Sequence, residues 1–305
     1  MPSEPLHGII YRELAVANAG PVIAVANPLL TELVNYASNA IVRCATSSTS
    51  SVDEDLSMLS LYRHVIEMTD GAAILVSQAS ATPAIVLLRS SFEALISLEY
   101  MISDPAQFSR RSLSWLVGYV HQRLGMYRSL DPDTPAGQDS EVAPINDMFI
   151  RDALLPLAER ANEAADKLEK FLSRPHVAPI NEAFLALRGK KAWYRLDKGP
   201  NDIKALASRV GRPAWYEFLY KYWSRLTHAQ DFAGLLTKTA EGESTIRPIR
   251  HPEELRNVAN FAATIMLAAT RQMIAKYHPG EDIKSWYMRE VRSLYLKLST
   301  RGDAV

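Results

Sequence analysis

Cysteine is almost missing from this chain: 305 residues carry one, Cys44. That excludes an internal disulfide framework and any multi-thiolate zinc or iron–sulfur centre, and it fits a reduced, cytoplasmic setting. Cys44 stands in YASNAIVRCATSS, where only the neighbouring Arg43 could favour a thiolate, so it reads as structural rather than nucleophilic. Net charge is missing too. Lys plus Arg and Asp plus Glu number 34 each, so no long-range field draws the molecule to a polyanion, and RNA would have to meet a local patch. The N-terminus, MPSEPLHGIIYREL, lacks the basic segment running into an apolar core that a signal peptide needs. The most apolar stretch, Thr82 to Ile102, approaches membrane-spanning length but is interrupted by Arg89, Glu93 and Glu99. Each charge would cost on the order of several kcal/mol at a bilayer centre, so a buried soluble helix and no membrane partner are expected. No phosphate-binding loop, dinucleotide fingerprint, internal repeat or coiled-coil heptad occurs.

What is present is helical punctuation: Pro or Ser, Thr and Asp at starts, Gly or Pro at stops. Residues 6 to 45 read as one or two helices broken near Pro21 and Pro28, followed by the polar connector Thr46 to Ser51. Ser51 and Glu54 have capping-box spacing. Helices from about Asp53 to Gln78 and from Thr82 to about Ile102 then form a hairpin. Asp104 and Pro105 open a helix that stops before the loop DPDTPAGQDSE, and another long helix runs from Pro144 to about Leu172. Beyond two irregular segments around a short helix, Gly211 closes one helix and Pro213 starts the next. A small β-hairpin is expected near 235–249, then helices from Pro252 to Tyr277 and from Glu281 to about Leu298. The fold class is all-α, a multi-helix bundle of about eight to ten helices with that one hairpin. It divides into an N-terminal helical segment (1–50), a central helical domain (51–234), and a C-terminal hairpin with two helices packed on the same core (235–305), with the loop 131–143 the best site to cut.

Two stretches could carry chemistry. Around Arg89, the residues Ile85, Val86, Leu87, Leu88, Phe92, Leu95, Ile96 and Leu98 leave no natural solvent face, and a helix apolar all round is buried. Arginine cannot shed its proton, so Arg89 needs an acceptor, and Glu93 stands one turn later. The pair is either a structural ion pair fixing helix register or the lining of a polar cavity, with Arg89 offering a planar donor fork to a carboxylate or phosphate. The second stretch is YEFLYKYWSRLTHAQDF, Tyr216 to Phe232. On a regular wheel Trp215, Phe218, Leu219, Tyr222, Trp223 and Leu226 share a packing face; Tyr220, Ser224 and His228, with Lys221 and Arg225, share the other. Tyr216, Tyr220, Ser224 and His228 follow one i, i+4 line. Tyrosine and histidine have apolar bodies and polar tips suited to half-buried pockets and interfaces.

Other chemistries find less support. His228 and Asp231 give only an i, i+3 pair, and His64, His121 and His176 fall in other segments, so no metal site and no cofactor are expected. Ser224, His228 and Asp231 on one helix cannot set a base between nucleophile and orienter, which rejects a catalytic triad. RGKKAWYRLDK, Arg188 to Lys198, interleaves five basic residues with Trp193 and Tyr194. It is either a single-stranded nucleic-acid contact or, more commonly, a solvated loop whose rings dock on the core.

The order TDGAAILVSQASATPAIVLLRSSFEALISLEYMI, AWYRL, IKALASRVG and YEFLYKYWSRLTHAQDF resembles a mainly bacterial helical family, domain of unknown function 5677, over roughly residues 60 to 232. In that family an Arg-x-x-aromatic-Glu helix precedes a Trp-Tyr pair and a Tyr-rich Ser-x-x-x-His helix. The matching positions here are Arg89, Phe92 and Glu93, then Trp193 and Tyr194, then Tyr220, Ser224 and His228. The resemblance implies that Arg89, Glu93 and His228 belong to one arrangement, and it carries no activity. A second likeness is to the helical ribonucleases of toxin and defence systems, which use Arg, four to six residues, then His in a dimer cleft without metal. Here Arg225 has only two residues before His228, and Lys221 has six but is not Arg.

These residues support three readings. In the first, the central helices enclose a polar pocket lined by Arg89, Glu93, Tyr220, Ser224 and His228 for a small anionic ligand or a partner's acidic segment, with a homodimer left open. In the second, a metal-independent ribonuclease uses His228 as general acid or base and Arg89 or Arg225 on the scissile phosphate. In the third, the protein is purely structural, with Arg89 and Glu93 locked together.

Overall fold

The computed structural model describes residues 4, 6, 8–131, 134–135, 138, 158–228, 230, 233–238 and 242–300. These form an all-α bundle with one small two-stranded antiparallel sheet. The helices are α1 (Arg12–Ser47), α2 (Val52–Ser77), α3 (Ala81–Ile102), α4 (Phe108–Leu130), α5 (Ala158–Leu172), α6 (Ala178–Leu185) and α7 (Ile203–Arg209). They continue with α8 (Pro213–Trp215), α9 (Lys221–Thr227), α10 (Leu255–Tyr277), α11 (Ile283–Trp286) and α12 (Arg292–Ser299). The hairpin expected near 235–249 pairs β1 (Leu236–Lys238) with β2 (Ser244–Ile246), Thr237 opposite Thr245. Most of the loop 131–143, and the expected helix from Pro144 up to Ala158, lie outside the described residues.

The punctuation read from sequence has visible partners. Ser51 Oγ accepts the Glu54 N–H at 3.4 Å, and Asp104 accepts the Ala106 N–H at 3.0 Å ahead of the 3-10 turn Pro105–Gln107. Gly211 takes φ +77°, where a side chain would be strained. The two prolines behave otherwise. α1 runs unbroken through Pro21 and Pro28, against the expected break. Both are exposed and seven residues apart, hence on one face, and the carbonyls they leave unpaired belong to the exposed residues Ala17 and Ala24. Water satisfies those carbonyls, so each proline costs a hydrogen bond on the wet side only.

The chain divides into two compact units, residues 1–50, 58–103 and 203–305 in one and residues 51–57 with 104–202 in the other. These cut across the 1–50, 51–234 and 235–305 division, because the first and last segments share a core. In the larger unit α10 packs against α1, α3 and α12. Its Ala259, Ala262, Ala263 and Ala269 and the Ala19, Ala26, Ala37 and Ala40 of α1 are buried, and such small side chains let helix axes approach closely. Leu29, Leu30, Leu33, Ile265 and Met266 fill the remaining space. By length and composition α1 could also cross a membrane. Cys44 is buried within this core, and burial pushes its thiol up to about 11, which leaves it inert at neutral pH.

In the smaller unit α4, α5 and α6 pack around Leu116, Val117, Val120, Leu172, Ile180 and Phe184. Gly118 leaves room for Trp193: a Cβ there would lie 3.2 Å from the Trp193 Cβ. Tyr194 is buried and Arg110 pairs with Asp197, so the aromatic residues of RGKKAWYRLDK are docked on protein rather than offered to nucleobases.

Replacing Pro28 by Ala restores the missing α1 hydrogen bond at an exposed position. Urea unfolding should show a gain of about 1–3 kcal/mol; a loss would mean that packing requires the bend the proline imposes.

Candidate functional site

α3 is apolar along most of its length and buries Ala84, Ile85, Leu88, Phe92, Leu95, Ile96 and Leu98. It is not buried all round, however. Arg89 and Glu93 retain 21% and 39% of their side-chain exposure, and Val86 is also exposed, so one edge of α3 reaches solvent. Phe92 faces inward instead and sits among rings: Trp215 at 5.9 Å, Tyr220 at 6.0 Å and Trp223 at 6.3 Å between centroids. Phe261 of α10 closes the cluster against Trp215 and Trp223. These offset and edge-on contacts hold α9 on α3.

The segment from Pro213 to Thr227 is not one regular helix. Tyr216–Tyr220 forms a π-turn, with the Lys221 N–H bonded to the Tyr216 carbonyl five residues back. The wider turn takes one more residue per bond than an α-helix does, so the regular wheel fails across it. Phe218, expected on the packing face, is 78% exposed, whereas Tyr220, expected on the polar face, is buried and stacked on Tyr216. Trp215 and Trp223 do face the core as expected.

The π-turn delivers Tyr220 to the open edge of α3. Its hydroxyl donates to Glu93 Oε1 at 2.8 Å and accepts from Arg89 Nη2 at 3.3 Å. The guanidinium also lies over the Tyr220 ring, 5.1 Å from its centroid. Arg89 Nη1 donates to His228 Nε2 at 3.3 Å, and Nε stands 3.4 Å from Glu93 Oε1 without an aligned hydrogen bond. Because a guanidinium only donates, His228 takes part in this contact as the acceptor, through Nε2. His228 itself is exposed at the C-terminal cap of α9.

Burial works against the charge of Arg89, but the Tyr220 hydroxyl and the Glu93 carboxylate outweigh it and hold the guanidinium above its ordinary value. Tyr220 is pushed up to about 12 by burial and by the negative charge of Glu93, so it remains a neutral hydroxyl. Of the other residues read from sequence, Ser224 contributes its carbonyl to the His228 N–H, and Arg225 is exposed, its carbonyl accepting from the Gln230 N–H. Lys221 pairs with Glu217, which also holds Lys204, so it does not join His228 in a phosphate-facing group. Asp231 lies outside the described residues. Among the described residues no three His, Cys, Asp or Glu side chains gather as a metal site requires.

A family profile described as a family of unknown function, DUF5677, matches residues 55–243, a span that contains Arg89, Glu93, Tyr220 and His228. The chain belongs to the DUF5677 family. Neither the curated proteins nor the solved structures provide a match.

The DUF5677 segment also holds an interaction that sequence reading passed over. Glu99, in the last turns of α3, is buried and accepts two hydrogen bonds from Arg212, at 2.6 Å from Nε and 2.5 Å from Nη2. Arg212 in turn stacks over Trp215 at 5.0 Å. The available signal was Glu99 itself, the third charge in the apolar run and the one with no cation a helical turn away.

Tyr220→Phe removes the group that links Arg89 to Glu93, and chemical denaturation should show a loss of about 1–3 kcal/mol. The alkaline limb carries a second signature. Between pH 10 and about 12 the unfolded chain has released the Tyr220 proton while the folded chain retains it, so stability falls as pH rises. The Phe variant should show a shallower fall over that window.

Proposed function

We propose that Arg89, Tyr220 and His228 form the receiving end of a DUF5677 site for a small anion, either a carboxylate or phosphate on a ligand or an acidic side chain of a partner segment. The support is a contrast among arginines. Arg212 grips Glu99 with two short, charge-assisted bonds, and Arg43 holds the Glu281 carboxylate with one short bond at 2.5 Å and a second at 3.2 Å. Arg89 has instead two longer bonds to neutral acceptors and a misaligned carboxylate. An incoming anion replaces neutral contacts of 3.3 Å with charge-assisted ones about twice as strong. Glu93 and Tyr220 orient the guanidinium meanwhile. His228, exposed beside it, turns its ring to the second oxygen.

The same pair of groups favours one further reading. An imidazole whose Nε2 stands 3.3 Å from a guanidinium offers two parts of metal-independent RNA cleavage, an acid–base group and a phosphate anchor. His228 then takes the 2′-hydroxyl proton as that oxygen attacks phosphorus, Arg89 stabilises the phosphorane charge, and the His228 ring returns the proton to the 5′-oxygen as its bond to phosphorus breaks.

Native mass spectrometry of the purified protein and calorimetric titration with acetate and inorganic phosphate test the binding reading. Arg89→Gln should weaken anion binding at least about tenfold, the scale of losing a charge-assisted pair, while Arg225→Gln leaves it unchanged. Equal binding by wild type and Arg89→Gln rejects the site. For the ribonuclease reading, expression should arrest growth and His228→Ala should relieve it; RNA left intact by clean protein counts against it.

A further inference from the structure

A cleft of about 400 Å3 opens at the other end of α3 from Arg89. Its walls come from Glu99 of α3, Arg212 before α8, the last turns of α10 and the turn into α11 that carries Pro279 and Glu281. That volume suits an organic molecule of modest size. None of the residues proposed above to receive an anion lines it, and Arg271 and Glu281 lie beyond the DUF5677 match.

The charges around the cleft do not cancel. Glu99 is held by Arg212 in the bidentate pair, and Glu281 accepts from Arg43 and from Tyr36 at 2.5 Å. Burial works against the charge of Glu281, but those two donors outweigh it and hold its carboxyl below the usual carboxylate range. Both acids are therefore matched by a cation. Arg271 is not: among the described residues its guanidinium makes no hydrogen bond or ion pair, and the adjacent Gln272 side chain also lacks a bonded partner. The cleft thus keeps one uncompensated positive charge and an unpartnered amide. Ala268 and Ala275 flank them on the same face of α10, and with Pro279 and Ile283 present apolar surface.

We infer that this cleft binds a small organic monocarboxylate with an apolar body, its carboxylate on Arg271 and Gln272 and its body against Ala268, Ala275, Pro279 and Ile283. A planar carboxylate matches the guanidinium fork. A phosphate dianion is disfavoured, because its second charge would face Glu99 and Glu281, and the other basic residue lining the cleft, Arg212, is already paired with Glu99. An uncharged molecule of the same shape leaves the exposed Arg271 guanidinium to water and gains no charge-assisted bond from it.

Benzoate serves as probe, with its neutral isostere benzamide and inorganic phosphate as comparison arms, titrated by calorimetry into the full chain. Benzoate should bind at least tenfold more tightly than either comparison. Arg271→Gln should weaken benzoate at least tenfold, and Ala275→Trp, at an exposed position that fills the cleft without touching the core, should abolish binding. Arg89→Gln should leave benzoate unaffected, which keeps this site separable from the one proposed above. No benzoate binding, equal affinity for benzamide, or loss in Arg89→Gln but not in Arg271→Gln overturns the inference. Unchanged melting of both cleft variants establishes that a loss reflects the site rather than the fold.

Discussion

A charge on an apolar helix has to find a partner, and α3 carries three. Arg89, Glu93 and Glu99 stand in a run whose other side chains form much of the larger unit's core, so the elements that meet those charges are fixed by them. Glu99 draws in Arg212, which anchors the turn between α7 and α8 and stacks on Trp215. Arg89 and Glu93 draw in Tyr220 and, through it, the start of α9. The aromatic cluster around Phe92 lies between the two and supplies the apolar contact that makes both polar links geometrically attainable.

The two ends of α3 use this constraint differently. At Glu99 the ion pair is buried, short and bidentate, an arrangement that fixes position and neutralises both charges. Ten residues away, about 15 Å along the axis, Arg89 has longer bonds to neutral groups at an edge that solvent reaches. One end behaves as a fastening and the other as a surface able to exchange its partners. The same distinction separates Arg43, held by Glu281, from Arg271 in the cleft beyond it. In each case what an arginine already holds is more informative than where it lies in the chain.

The legible part of the sequence was whatever depended on local chemistry. Caps at Ser51 and Asp104 and the Gly211 stop could be read from residue type and spacing, whereas the grouping of Arg89 with His228 came from the family resemblance. Failures arose where the outcome depended on distant partners. The prolines of α1 looked like breaks because sequence does not say which helix face is wet. Glu99 lacked a partner within its own helix, and its cation came from more than 100 residues on. The course of Tyr216 to Thr227 was misjudged for a different reason: a wheel assumes one period, and neither residue composition nor helical spacing announces a π-turn. That single assumption placed Phe218 inside and Tyr220 outside, the reverse of what packing on Phe92 dictates.

The π-turn also makes the Arg89 site depend on a count of residues rather than on their kind. The turn holds one residue more than a regular α-helix would over the same rotation, so the residues before and after it keep the faces they would have in a helix one residue shorter. Trp215 and Trp223, eight residues apart, therefore fall nearly on one face, as positions i and i+7 do, and both reach the Phe92 ring. The surplus residue is absorbed at the turn itself, which leaves Phe218 outside and Tyr220 inside while the rings on either side stay packed on Phe92.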